Sequence, residues 1–98
     1  LNITETISSS TLETIHETLK KKKFKECYDY IYNKCIKKGL SLTEIVSKLH
    51  ILIVNDKQMA PTKYKIIKAL SDIEHKLLLT SNETLYTPLI ISSYIINR

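Results

Sequence analysis

The stretch Ile36-Lys37-Lys38-Gly39-Leu40-Ser41-Leu42-Thr43-Glu44-Ile45-Val46 holds the only glycine of the chain, placed where one helically periodic segment stops and another starts. A helix that ends in a left-handed residue uses glycine because no Cβ opposes that conformation, and Lys37 and Lys38 put positive charge beside the last carbonyls. Two residues on, Ser41-Leu42-Thr43-Glu44 has the reciprocal capping pattern, in which Ser41 accepts from the amide near Glu44 while Glu44 reaches back. One helix therefore ends at this corner and a second begins almost at once. So short a connection predicts that the two pack against each other.

Working outward, the segment before the corner predicts a helix over about 22–38. Phe24, Cys27, Tyr28, Ile31 and Cys35 fall within an arc of roughly 100° on it, with Lys25, Glu26, Asp29, Asn33 and Lys37 on the other side. Upstream, Ser10-Thr11-Leu12-Glu13 is a second capping box, and Leu12, Ile15 and Leu19 recur at helical spacing to about Lys20. Residues 1–9 show no sustained period and end in a serine run, which reads as a linker ahead of a domain over 10–98. Position 1 is leucine, so the chain reads as a fragment or a processed product.

Downstream of the corner, a third helix over about 42–54 presents Leu42, Ile45, Val46, Leu49, Leu52 and Ile53 to the core, and Asn55-Asp56 breaks it. Pro61 suits the first turn of a fourth helix, since its missing amide would have no partner there. Ile66, Ile67, Leu70, Ile73, Leu77 and Leu78 form its stripe to about Leu79. Thr80-Ser81-Asn82 supplies a turn, and a last segment runs from Glu83 to Asn97, in which either Pro88 kinks the helix or Thr87 caps a helix that begins at Pro88.

That last segment differs from the others. On a helical wheel Leu85, Tyr86, Leu89, Ile90, Ile91, Tyr94, Ile95 and Ile96 leave no polar face, so the helix must be covered on more than one side. Two readings stay open: a terminal helix at the centre of its own domain, or a helix with one side on the domain and another on a partner subunit. The second makes Tyr64, Leu85, Leu89, Ile90, Ile91, Tyr94 and Ile95 the candidate subunit interface.

Composition limits the alternatives. A chain of 98 residues with 43% hydrophobic and 26% charged residues fits one folded domain able to bury roughly 60–65% of its unfolded surface. One glycine and two prolines are too few for a β architecture with many tight turns, so the fold class is all-α. Two cysteines do not make a disulfide framework, no apolar leader opens the sequence, and the uncharged run 84–97 is shorter than the roughly 20 residues of a membrane span. A reducing compartment and no membrane partner are expected. Asn2-Ile3-Thr4 and Asn82-Glu83-Thr84 match the glycosylation pattern, which carries meaning only in a secreted protein.

The net charge of +5 is unevenly spread. Residues 20–38 carry eight lysines against Glu26 and Asp29, so the basicity is one patch. Lys20, Lys21, Lys22, Lys23 and Lys25, followed by Tyr28, Tyr30 and Tyr32, have the makings of a weak nucleic-acid contact, because lysines displace counterions from phosphates and aromatics stack on bases. The same run reads better as a solvated helix end, because Phe24 and Tyr28 belong to the apolar face and only Tyr30 and Tyr32 are left at its margins.

Catalytic chemistry finds no residues. A phosphate-cradling loop needs several glycines beside a helix N-terminus. His16, His50 and His75 stand singly, without a cysteine or carboxylate at ligand spacing, and read as surface or boundary residues. Cys27 and Cys35 lie eight residues apart, roughly 12 Å along one helix, too far for a disulfide, and read as small core residues. The expectation is no enzyme, no metal and no cofactor in this chain.

The order of these motifs resembles the C-terminal collar domain of replication factor C small subunits, the eukaryotic and archaeal sliding-clamp loader. The resemblance rests on the apolar helix ending in Phe24, the Lys38-Gly39-Leu40-Ser41-Leu42-Thr43-Glu44-Ile45 corner, and Ala69-Leu70-Ser71-Asp72-Ile73-Glu74-His75-Lys76-Leu77. Ile3-Thr4-Glu5 also looks like the tail of the lid segment before the collar. Thr80-Ser81-Asn82, where the family commonly has glycine, and Pro88 depart from the pattern. The resemblance implies a five-helix, bundle-like, non-catalytic domain that joins sister subunits into a nuclear five-membered loader. ATP and Mg would then be bound in an ATPase module outside this sequence, and sliding clamp and primed DNA would be met only through the whole complex. The alternative function is a small basic helical DNA-binding module that uses the Lys20 to Lys25 run.

Overall fold

Gly39 has φ +80°, and around it the Leu40 amide donates to the Cys35 carbonyl at 3.0 Å while the Gly39 amide donates to the Ile36 carbonyl at 3.0 Å. This pair of bonds is the Schellman arrangement that closes a helix on a left-handed glycine. An added Cβ at Gly39 would meet nothing within 4 Å, so the backbone angle alone demands glycine here.

The computed structural model describes residues 7–59 and 61–98. Most of the expected 1–9 linker, and with it Ile3-Thr4-Glu5, lies outside the described residues. The described residues form helices α1 (Ser9–Lys21), α2 (Phe24–Ile31), α3 (Leu42–Asn55), α4 (Lys63–Leu77) and α5 (Thr87–Asn97), with a π-helical turn over Tyr32–Ile36 and a 3-10 turn over Glu83–Tyr86. The fold is all-α, with no strand among the described residues.

Helix α5 packs on α1, α2 and α4, so the terminal helix is central, and α3 packs on α1 and α4. The core runs through Ile15, Leu19, Cys27, Ile31, Cys35, Ile45, Leu49, Ile53, Ile66, Leu70, Ile90, Ile91 and Tyr94, all essentially without solvent exposure. Burying each of the larger aliphatic side chains contributes about 1.5–3 kcal/mol.

The sequence reading differs from the structure at several element ends. Helix α1 starts at Ser9 because Ser8, not Ser10, is the cap: its Oγ accepts the Thr11 amide at 3.2 Å. Ile7 is buried in the core, so the chain joins the domain before position 10. At α3, Ser41 Oγ accepts the Glu44 amide at 3.4 Å, as predicted. The reciprocal half comes from elsewhere. Glu44 pairs with Lys48 at 2.8 Å, and Glu83, 41 residues beyond the helix start, accepts the Leu42 amide at 2.8 Å and the Thr43 hydroxyl at 3.4 Å. A carboxylate at a helix N-terminus is favourable because the amides there are unpaired and the helix end is positive.

The helix expected over 22–38 is α2 followed by the π turn, in which the Lys37 amide donates to the Tyr32 carbonyl at 2.8 Å. Phe24, expected in the core, is partly exposed at the helix start and stacks on Tyr28, with ring centroids 6.5 Å apart, as Tyr28 does on Tyr32 at 6.2 Å. Leu78, expected in the α4 stripe, is exposed together with Leu79, because at about 100° per residue the two turn away from the buried line of Ile66, Leu70, Ile73 and Leu77, and their amides close the last turn on the His75 and Lys76 carbonyls. Finally, α5 begins at Thr87 itself, after the separate 3-10 turn, with Pro88 in its first turn. Neither a kinked long helix nor a Thr87 cap is present, and Thr87 Oγ1 is buried without a protein partner.

Candidate functional site

Two features stand out once the helices are assembled: a buried polar knot and an outward seam on α5. The knot is built by His16, which sits on the buried face of α1 with only 5% exposure. Its Nε2 lies 2.9 Å from Asp56 Oδ2, just past the end of α3, and its Nδ1 lies 3.1 Å from the Tyr94 hydroxyl of α5. Lys20, one turn along α1, donates to the same Asp56 oxygen at 2.7 Å and to Glu17 at 3.2 Å.

The Lys20 ammonium, followed by the Gln58 amide and the His16 ring, holds the Asp56 carboxyl far below the usual carboxylate range, against the opposing effect of burial. Asp56 is thus an acceptor only, so Nε2 of His16 carries a proton, and in the neutral ring Nδ1 accepts from Tyr94. Burial first, and then the Asp56 charge, push the Tyr94 hydroxyl strongly up, which keeps it a donor. Burial pulls Lys20 down, but its bonds to Asp56 and Glu17 outweigh this and its pKa is raised overall.

His16, Glu17 and Asp56 place one ligand atom each within 4.8 Å of one another, a spacing that suits a cation. The Lys20 ammonium supplies that positive charge from within the chain. Nothing in the sequence flagged this knot, because His16 and Asp56 lie 40 residues apart and His16 and Tyr94 lie 78 apart. The one available signal was the position of His16, one residue after Ile15 and three before Leu19 on the apolar side of α1.

Beside the knot, three helix C-termini meet. Arg98 donates to the Leu19 and Lys22 carbonyls at 3.0 and 2.6 Å, Lys63 donates to the Asp56 and Val54 carbonyls at 3.1 and 3.4 Å, and the Thr62 hydroxyl donates to the Asn97 carbonyl. Lys20, Lys63 and Arg98 line a cavity of about 170 Å³ here. Each helix end carries about half a negative charge, so the three ends together with Asp56 roughly balance the three cations. The arrangement ties helix ends together and leaves little field for an anion.

The outward seam follows from the periodicity of α5. Its inner face holds Thr87, Ile90, Ile91 and Tyr94 in the core. Leu89, Ser92, Ser93 and Ile96, at spacing i, i+3, i+4 and i+7, lie along the other side, with Leu89 47% and Ile96 77% exposed. The middle of the seam is small, and the Ser93 hydroxyl donates back to the Leu89 carbonyl at 2.8 Å, so that polar atom is satisfied within the helix. Against α4 the seam forms a groove of about 350 Å³, with Ala69 and Ile73 on the facing wall.

The seven predicted interface residues are thus divided. Tyr64 and Leu85 are 71% and 66% exposed, Leu89 rims the groove, and Ile95 is half-buried. Ile90, Ile91 and Tyr94 are withdrawn as surface residues: they fill the domain's own core, since α5 is packed on three helices. Ile96, which is outside the seven, lies beside Leu89 on the groove, as its i+7 relation to Leu89 allows. Tyr64 is not among the residues that line the groove.

The five predicted nucleic-acid lysines are also divided. Lys20 belongs to the buried knot, Lys21 pairs with Glu17 at 3.4 Å and Lys25 with Asp29 at 3.1 Å, whereas Lys22 and Lys23 form no ion pair among the described residues. Cys27 and Cys35 are free and buried, as read, and burial pushes both thiols up. No helix of the described residues is long and apolar enough to cross a membrane.

The fold and site define a class: an all-helical domain whose last helix is central to the core and also carries a second, solvent-facing apolar seam. The family follows from comparison with known proteins. Residues 7–89 match the family described as the Replication factor C C-terminal domain. Replication factor C subunit 5 of Arabidopsis thaliana is 31% identical over 83 residues, which cover 85% of this chain and 22% of the relative, so the chain spans about a fifth of that relative's length. No solved structure matches the chain. The chain belongs to the replication factor C family, with the matched region corresponding to that C-terminal domain.

Proposed function

We propose that this chain is a collar domain, the C-terminal module through which a replication factor C subunit joins its sisters in a five-membered, nuclear clamp loader. Its contribution is to hold the ring together while ATPase modules elsewhere in the whole protein, with ATP and Mg, drive loading of the sliding clamp onto primed DNA. The domain itself is not catalytic. The observation that carries this reading is the Leu89, Ser92, Ser93 and Ile96 seam, an apolar line on the solvent side of a helix whose other face is already buried. Family membership supports assembly with other loader subunits. Tyr64, Leu85, Leu89 and Ile95 are the predicted interface residues that remain at or near the surface.

The test uses the full-length protein coexpressed with its sister subunits. Replacing Leu89 and Ile96 by aspartate puts two charges into the seam without touching the core, and assembly followed by size-exclusion chromatography should be lost while circular dichroism shows a folded protein. Normal assembly of the folded double variant sinks the reading. The rival DNA-binding module rests on Lys22 and Lys23. Changing Lys22 and Lys23 to glutamine, which leaves the Lys20–Asp56 pair in place, should leave assembly intact, whereas the rival requires a large, salt-dependent loss of DNA binding.

A further inference from the structure

The groove between α4 and α5 has a chemical character that narrows what fits it, and the inference drawn from it rests on the collar reading. Its floor is made of small residues: Ala69 on α4 with Ser92 and Ser93 on α5, bounded by Leu89 and Ile96 about 10.5 Å apart along the helix axis. A dip of small side chains between two large apolar ones is a hole into which a large side chain of a facing helix inserts. Ser93 is already bonded to its own helix, which leaves the small Ser92 hydroxyl as the one side-chain hydroxyl of the dip open to a partner or to water.

The charge beside the dip is one-sided. The groove continues across Ala69 and Asp72 into a trough along α4 that is also lined by Lys65 and Lys68. Asp72 is the one acid on this surface, and Lys76 neutralises it at 3.3 Å. Lys65 and Lys68 form no ion pair among the described residues, and both are exposed. The other acid of α4, Glu74, faces α3, where it accepts from Ser47 at 2.6 Å and lies 3.7 Å from His50. The surface offered to a partner is therefore an apolar hole flanked on the α4 side by two unpaired positive charges.

We infer that the occupant of this groove is an amphipathic helix of a sister subunit that sets a large apolar side chain into the Ala69–Ser92–Ser93 dip and places acidic residues over Lys65 and Lys68. The apolar contact supplies most of the affinity, and the rim charges choose the partner and its register, because exposed ion pairs at an interface act chiefly on association rate and specificity. A basic partner surface is excluded by like charge.

The experiment uses the full-length protein and its sister subunits with three variants: Leu89→Asp with Ile96→Asp, Lys65→Glu with Lys68→Glu, and Lys65→Gln with Lys68→Gln. Subunit affinity is measured over a salt series, and folding is checked by thermal melting. The expected result is loss of assembly in the first variant and a roughly tenfold weakening in the charge-reversed one, with a smaller effect of glutamine. Added salt should weaken the unaltered protein but strengthen the charge-reversed one. If the seam variant fails to assemble while both lysine variants assemble with unaltered affinity and salt response, the acid-flanked partner is wrong and the collar reading stands. If the folded seam variant assembles normally, the collar reading falls and this inference with it.

Discussion

Replacing Asp56 by asparagine tests whether the buried knot holds α1, α3 and α5 together by charge. The side chain is 14% exposed and accepts from Lys20, His16 and the Gln58 amide at 2.7, 2.9 and 2.9 Å. Asparagine keeps one carbonyl oxygen, so it cannot serve all three donors, and it leaves the Lys20 ammonium, itself 14% exposed, with Glu17 as its one carboxylate partner among the described residues. A hydrogen bond to a charged group contributes about 1.5–3 kcal/mol, and stranding a mostly buried cation adds to the loss, so the expected cost is about 2–3 kcal/mol. For a domain of this size that corresponds to a fall in Tm of roughly 10–20 °C.

The pH dependence gives the test its specificity. The folded-state pKa of Asp56 is depressed, so its contribution is present above the unfolded value of about 3.9 and is lost as pH falls through that value toward the folded one. In this window the unfolded chain binds the proton first, and stability declines with acid. Urea unfolding followed by circular dichroism, on the protein and the variant from about pH 7 down to about pH 3, should show a stability gap that is present near neutrality and shrinks below about pH 4. A gap under about 0.5 kcal/mol at pH 7, or one unchanged at pH 3, would refute a charge-based role for the knot.

Three further outcomes follow from local geometry. Gly39→Ala should lower stability by about 1 kcal/mol through its left-handed backbone alone, and Gly39→Asn should recover part of it, as thermal melts would show. Glu83→Ala should cost about 1–2 kcal/mol and speed hydrogen exchange at the Leu42 amide, whereas an unchanged exchange rate would mean that the Glu83 cap is unimportant. Cys27 and Cys35 should react with a thiol reagent only as fast as the domain opens, because both are buried and their thiols are shifted up; rapid labelling of the native protein contradicts this packing.

Much of the fold was legible in the chain because it depends on short-range chemistry. The Gly39 stop, the Ser41 cap and the stripes of α1, α3 and α4 are set by backbone sterics and by a 3.6-residue period, both of which act within a few positions of one another. The family was legible too, through the order of the same local signals. What remained hidden at the element ends was competition between equivalent local options: Ser8 against Ser10 as the α1 cap, or the 3-10 turn against an early start of α5.

The candidate site was only half readable. An apolar helix without a polar face announced that α5 must be buried on more than one side, but periodicity alone has no origin, so it did not say which residues face inward. Packing on α1, α2 and α4 made that choice, taking Ile90, Ile91 and Tyr94 into the core and leaving Leu89 and Ile96 outside. The sequence by itself determined five helices, their approximate limits and the double-sided character of the last one. Tertiary structure alone decided the His16–Asp56–Tyr94 knot, the Glu83 cap on α3 and the groove that α5 forms with Ala69 and Ile73 of α4, because each requires residues far apart in the chain to meet, and no local pattern encodes which helices become neighbours.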